Sequence, residues 1–99
     1  MALTLGLLAT LEAKPGKEQD LADFLTAGRA VVAAEAGTVV WYAFRIDERT
    51  FGIFDAFESE EARQAHVGGD IPKALAEKGA DLLASDPVIR PVDLLASKP

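Results

Sequence analysis

His66 is the chain's one histidine and the one side chain whose unperturbed pKa lies near neutrality. That makes it the natural proton acceptor for an acidic hydroxyl such as a phenol. The competing reading is structural, since a histidine at the end of a short helix caps that helix or stands in solvent. Asp55 is the second candidate. It interrupts an apolar stretch between Ile53 and Phe57, and a carboxylate buried there must be paired or shifted in pKa. It is therefore a pocket acid/base or the structural partner of a base such as Arg45, and the pairing is the favoured reading. Arg45 could itself hold an anionic or phenolic oxygen, although an arginine close to a hairpin end is more often solvated; Arg90 carries the same two readings. Trp41, Ile53 and Phe57 would wall a pocket, with plain core packing as the alternative. The chain has no cysteine, which excludes a disulfide framework, a thiolate metal site and a thiol nucleophile. His66 and Asp70 have helical i, i+4 spacing, but Gly68-Gly69 lies between them and no third ligand is evident, so no metal site is expected.

The elements that must position these residues follow from periodicity. Leu3 to Leu11 alternates with a period of two, the mark of a strand. Lys14-Pro15-Gly16-Lys17 is turn chemistry. From Glu18 onward Leu21, Phe24, Leu25, Gly28, Val31 and Val32 recur at spacings of three and four, which predicts a helix with one stripe toward a sheet and Gly37 as its stop. Thr38 to Asp47 and Phe51 to Phe57 read as a hairpin. A three-residue loop would set Asp47 opposite Phe51 and bring the odd-numbered faces together. Ser59 with Glu60 and Glu61 is an N-cap signal for a short helix ending near Gly68-Gly69. Asp70 caps another helix with Pro72 in its first turn, stopped by Ser85-Asp86-Pro87, and Val88 to Leu95 reads as the last strand.

The order is strand, helix, strand, strand, helix in two pieces, strand. This predicts an α+β, ferredoxin-like split β-α-β fold with a four-stranded antiparallel sheet and helices on one face. Ninety-nine residues suit a single domain over 1–99. Helices on one side bury only one sheet face, yet the second and third strands carry Trp41, Ile53 and Phe57 on one face and Val40, Tyr42, Phe44 and Phe54 on the other. A second copy, sheet against sheet, would cover the surplus face, so a homodimer is expected. Ten Lys+Arg against 16 Asp+Glu give a net charge of −6, which argues against nucleic acid and anionic membrane surfaces as partners. No run approaches the roughly 20 apolar residues of a membrane span, the apolar start lacks a basic leader region, and a cytoplasmic location is expected.

Taken in order, these landmarks resemble the antibiotic biosynthesis monooxygenase (ABM), or quinol monooxygenase, family of the dimeric α+β barrel superfamily. The first strand runs into Ala13-Lys14-Pro15-Gly16-Lys17. Glu35-Ala36-Gly37-Thr38-Val39-Val40-Trp41-Tyr42 is similar to the family's E-x-G-x-x-x-Y stretch. Phe51 to Ser59 falls where the family has an acidic residue and then Tyr or Trp two later, and Ala65-His66 is similar to its A-H helix end. The resemblance implies sheets packed back to back in a dimer, a pocket between sheet and helices, and oxidation of a small electron-rich phenol or quinol by dioxygen without metal, flavin or haem. Such a substrate, once deprotonated, passes an electron to oxygen itself, so the protein supplies a dry pocket, an orienting contact and a proton acceptor. On this reading His66 and Asp55 are catalytic, Trp41, Arg45, Ile53 and Phe57 contact substrate, and no cofactor is expected. A non-catalytic dimer that binds a small apolar ligand or serves a stress response is the first alternative. A haem-binding relative with His66 as axial ligand is the second. The chain departs from its relatives at Phe57, near where aromatic-polyketide oxygenases and haem-degrading members have a tryptophan, and phenylalanine cannot donate a hydrogen bond.

Overall fold

The computed structural model describes residues 3–98. Four strands and three helices alternate as β1 (Leu5–Glu12), α1 (Glu18–Val32), β2 (Thr38–Arg45), β3 (Thr50–Phe57), α2 (Glu60–Val67), α3 (Asp70–Leu82) and β4 (Val88–Asp93). The strands pair antiparallel in the order β2-β3-β1-β4, which is the ferredoxin-like arrangement. Alternation is cleanest in β1, where Leu7, Ala9 and Leu11 are buried while Leu8, Thr10 and Glu12 are exposed. The buried face joins Phe51 and Ile53 of β3 and the stripes Leu21–Leu25 of α1 and Ile71–Leu75 of α3 in one cluster. Full burial of an aliphatic or aromatic side chain there contributes about 1.5–3 kcal/mol. The opposite face stays open, with Tyr42 62% and Phe44 38% exposed. Among the described residues no helix is long and apolar enough to cross a membrane.

Local chemistry accounts for most junctions. Pro15 and Gly16 occupy the centre of a turn closed by Lys17 N–H donating to the Lys14 carbonyl, with Gly16 at φ 86°, the left-handed position a type II turn gives to glycine. Ser59 caps α2, its Oγ accepting from Ala62 N–H at 3.1 Å.

Several junctions depart from the sequence expectation. α1 stops at Val32 and not at Gly37; the chain then turns, with Glu35 N–H donating to the Val32 carbonyl. Gly37 serves a different purpose, since a Cβ there would lie 2.6 Å from Cβ of Ala62. Asp70 is the first residue of α3, and Gly69 occupies the N-cap. The hairpin sets Arg45, not Asp47, opposite Phe51. Asp47 instead organises the turn, its Oδ1 accepting from the backbone N–H groups of Arg49 and Thr50. The shift is two residues, one full strand period, so the odd faces still coincide. A bulge between Thr38 and Val40 turns Val39 away from the core face.

Candidate active site

Three elements converge on the imidazole of His66. β3 carries Asp55 at its centre, paired with Trp41 of β2 on one side and Leu7 of β1 on the other. Asp55 is therefore flanked by strands and only 3% exposed. α2, started by the Ser59 cap, is tied to the sheet by Arg63, which binds Glu60 and donates to the Gly6 carbonyl. That pose brings His66, in the last turn, down onto the sheet, where it is 6% exposed. The turn between α1 and β2 supplies Glu35, which the sequence reading counted as a family landmark and not as a site residue.

His66 Nε2 lies 2.9 Å from Asp55 Oδ2, and Nδ1 lies 2.5 Å from Glu35 Oε1. The same Glu35 oxygen accepts from Thr38 Oγ1 at 2.9 Å. The Phe57 ring closes one side of the imidazole, centroids 5.3 Å apart and planes tilted by 46°. Burial works to lower the pKa of His66, but the hydrogen bonds to Asp55 and Glu35, together with their charges, outweigh it and hold the imidazole above its ordinary value. As an imidazolium it donates from both nitrogens, which is the state this geometry satisfies. It then has no free lone pair. A haem iron or another metal would have to displace a carboxylate from His66, and no group of three or more acidic or histidine side chains among the described residues is arranged to hold a metal ion.

Two buried polar atoms of this site have no hydrogen-bond partner among the described residues: Asp55 Oδ1 and Trp41 Nε1. One is an acceptor and the other a donor, and they belong to residues facing each other across β2 and β3. The two atoms complement one another, and a group that both donates and accepts, such as a hydroxyl, complements both; of the two residues only Asp55 borders the cavity beside His66. Asp55 and His66 also border a cavity of about 50 Å³ walled by Ile53, Ile71 and Leu75 and reaching the surface between Val67 and Ile89. On the far side of the imidazole an open hollow of about 280 Å³ is bordered by Glu35, Thr38, Ala62 and Asp70.

Of the expected site residues, His66, Asp55 and Ile53 border the cavity; Phe57 lies against the imidazole and Trp41 is paired with Asp55, and neither borders it. Arg45 is elsewhere. Its guanidinium sits 4.7 Å from the centroid of Phe51, four residues along β2 from Trp41, roughly 13 Å at the usual strand rise. The expected Arg45–Asp55 pair is therefore replaced by His66–Asp55. Arg90 pairs with Leu8 on the open face.

Residues 4–78 match the family model for antibiotic biosynthesis monooxygenase. Among solved structures, a protein of unknown function from Nitrosomonas europaea is 49% identical, the match covering 97% of this chain and 93% of that one with a TM-score of 0.95. A Pseudomonas aeruginosa protein is 26% identical over 97% of this chain and 98% of that one, TM-score 0.81. A Caulobacter crescentus protein with the provisional name antibiotic biosynthesis monooxygenase is 27% identical over 95% and 92%, TM-score 0.80. No curated protein matches.

Proposed function

From the premise that this chain belongs to the antibiotic biosynthesis monooxygenase family, we propose that it is a cofactor-independent monooxygenase acting on a small aromatic quinol or phenol. The observation that carries the reading is the unpartnered donor and acceptor on Trp41 and Asp55. A ring hydroxyl donates its proton to Asp55 Oδ1 and accepts from Trp41 Nε1–H. His66, engaged at both nitrogens, is not the base; it holds the other Asp55 oxygen and stabilises the carboxylate. Ile53, Ile71 and Leu75 supply apolar walls, and Arg45 lies too far along β2 to touch the substrate.

Proton transfer to Asp55 leaves an electron-rich ring oxyanion that reduces dioxygen directly. For a benzene-1,4-diol the balance closes without an external reductant: diol plus dioxygen gives a hydroxyquinone plus water. One oxygen atom forms a bond to ring carbon, that carbon loses its hydrogen as a proton while the O–O bond breaks, and the departing oxygen takes this proton and the one stored on Asp55 to leave as water. An apolar cavity of roughly 150 Å³ holds a benzene-sized ring, so the hollow of about 50 Å³ must widen, with the exposed Val67 and Ile89 side chains at its opening the ones that give way. The exposed apolar sheet face around Tyr42 and Phe44 supports a homodimer packed sheet to sheet.

Oxygen uptake with metal-free protein tests the reading. A quinol should be consumed with one dioxygen per molecule, and its dimethyl ether, which cannot donate a proton, should be inert. Absence of uptake across a quinol panel would overturn it. Thermal stabilisation by the same ligands without turnover would identify a non-catalytic binding protein instead.

A further inference from the structure

Glu35 touches the imidazole from the side opposite the cavity. Its own side chain is partly open, 23% exposed, while those of His66 and Asp55 are 6% and 4% exposed. We propose that Glu35 is the positioning residue of this site: by holding His66 Nδ1 it keeps Nε2 on Asp55 Oδ2 and so leaves Asp55 Oδ1 as the free acceptor for substrate. The assignment rests on the role given to Asp55 above.

Three features carry it. The first is orientation. A histidine ring can be turned end for end with little change in shape, and its placement follows from its hydrogen-bond partners. With acceptors at both nitrogens, His66 is fixed in rotation about its own axis. With Asp55 alone it could satisfy the bond in several ways, and the Asp55 carboxylate would be free to rotate. The second is charge. Two carboxylates around one imidazole favour the doubly protonated ring, the form that donates from both nitrogens at once. The remaining charged groups near His66 do not compete for this role. Asp70, at the head of α3, borders the same outer hollow, and Arg63, one turn earlier on α2, is committed to Glu60 and the Gly6 carbonyl.

The third feature is that Glu35 is itself anchored. Thr38 Oγ1 donates to Oε1, and Thr38 N–H donates to the Glu35 carbonyl at 3.2 Å. Gly37 permits the turn to lie flat on Ala62 of α2. The second carboxylate oxygen lies 3.5 Å from where a Cβ on Gly69 would stand, beside the start of α3, where a negative charge is favoured. Two hydrogen bonds from Thr38 and the close approach of the turn to Ala62 thus hold Glu35 in place.

The test uses Glu35→Gln, Glu35→Ala and the milder Thr38→Val in the full chain. Because His66 is the one histidine, its ring resonances in a nitrogen-15 spectrum are unambiguous. Glu35→Gln should move the imidazole titration to lower pH and reduce kcat on the quinol about ten- to a hundredfold, the loss expected for one charge-assisted hydrogen bond, with KM within about twofold. Thr38→Val should shift the titration in the same direction by less. If the variants melt lower yet show the wild-type imidazole titration and the wild-type kcat per folded molecule, Glu35 is a brace only and the proposal is overturned. If the wild type consumes no oxygen with any quinol, the functional reading falls, and the titration alone decides whether Glu35 governs His66. A variant that fails to fold leaves the decision to Thr38→Val, where an unshifted titration overturns the proposal.

Discussion

Asp55→Asn separates charge from shape at the centre of the site. Asparagine keeps the carbonyl oxygen that accepts from His66 Nε2–H across 2.9 Å but removes the negative charge. A buried charge-assisted hydrogen bond contributes about 1.5–3 kcal/mol and a neutral one about 0.5–1.5 kcal/mol, so the substitution should cost about 1–2 kcal/mol while His66 is protonated. For a domain of this size that is a fall in Tm of roughly 4–16 °C. The sign with pH follows from the direction of the His66 shift. Its folded pKa lies above the ordinary value, with the hydrogen bonds from Asp55 and Glu35 outweighing burial. The native state therefore binds a proton more tightly than the unfolded chain. Stability from this source is fully present below the unfolded histidine value, about 6.5, and is lost as pH rises through the folded value. The Asp55→Asn deficit should thus be full near pH 5.5 and close as pH rises through the folded value of the wild-type imidazole. Thermal melts of both proteins from pH 5.5 to 9.5 measure it. Equal stability at pH 5.5, or a deficit that does not change with pH, would refute the reasoning.

Other consequences are local. Gly37→Ala would place a methyl 2.6 Å from Ala62 Cβ, and because α2 is pinned by its cap and by Arg63, a cost of about 1–3 kcal/mol should appear in denaturant titration. Ser59→Ala removes the cap bond to Ala62 N–H and should cost about 1 kcal/mol by the same assay. Tyr42→Arg puts a charge on the exposed sheet face; sedimentation should show a dimer for the wild type and folded protomers for the variant, and a wild type that sediments as a protomer at micromolar concentration would rule out the proposed dimer.

The parity of strand residues was legible because burial follows a period of two whatever the loop does. The hairpin register slipped by two residues, and Trp41, Ile53, Asp55 and Phe57 still share a face. The slip came from the Asp47 side chain bonding the turn's own backbone, a choice that hydrophobic pattern does not encode. Glu35 was not legible as a site residue. It is 31 positions from His66 in sequence, sits on a turn without periodicity, and meets the imidazole only because Gly37 lets that turn rest on α2. Arg45 was misplaced for a related reason: opposite charges on neighbouring strands suggest a pair, but only the register shows that Asp55 faces Trp41 while Arg45 faces Phe51. His66 was legible as a candidate from its type and its place at a helix end; its two carboxylate partners, visible only in three dimensions, are the ground for proposing Asp55 and not the imidazole as the acceptor.

The central claim is that Asp55 Oδ1 takes a ring hydroxyl's proton and the resulting oxyanion reacts with dioxygen inside the hollow. Turnover of a benzene-1,4-diol under oxygen-18 gas, with product mass measured for wild type and Asp55→Asn, tests it most directly. One labelled oxygen atom in the wild-type product, no hydrogen peroxide, and a loss of product formation in the folded variant are the predicted results. Unlabelled quinone accompanied by equimolar peroxide, or equal labelling by both proteins, would contradict it.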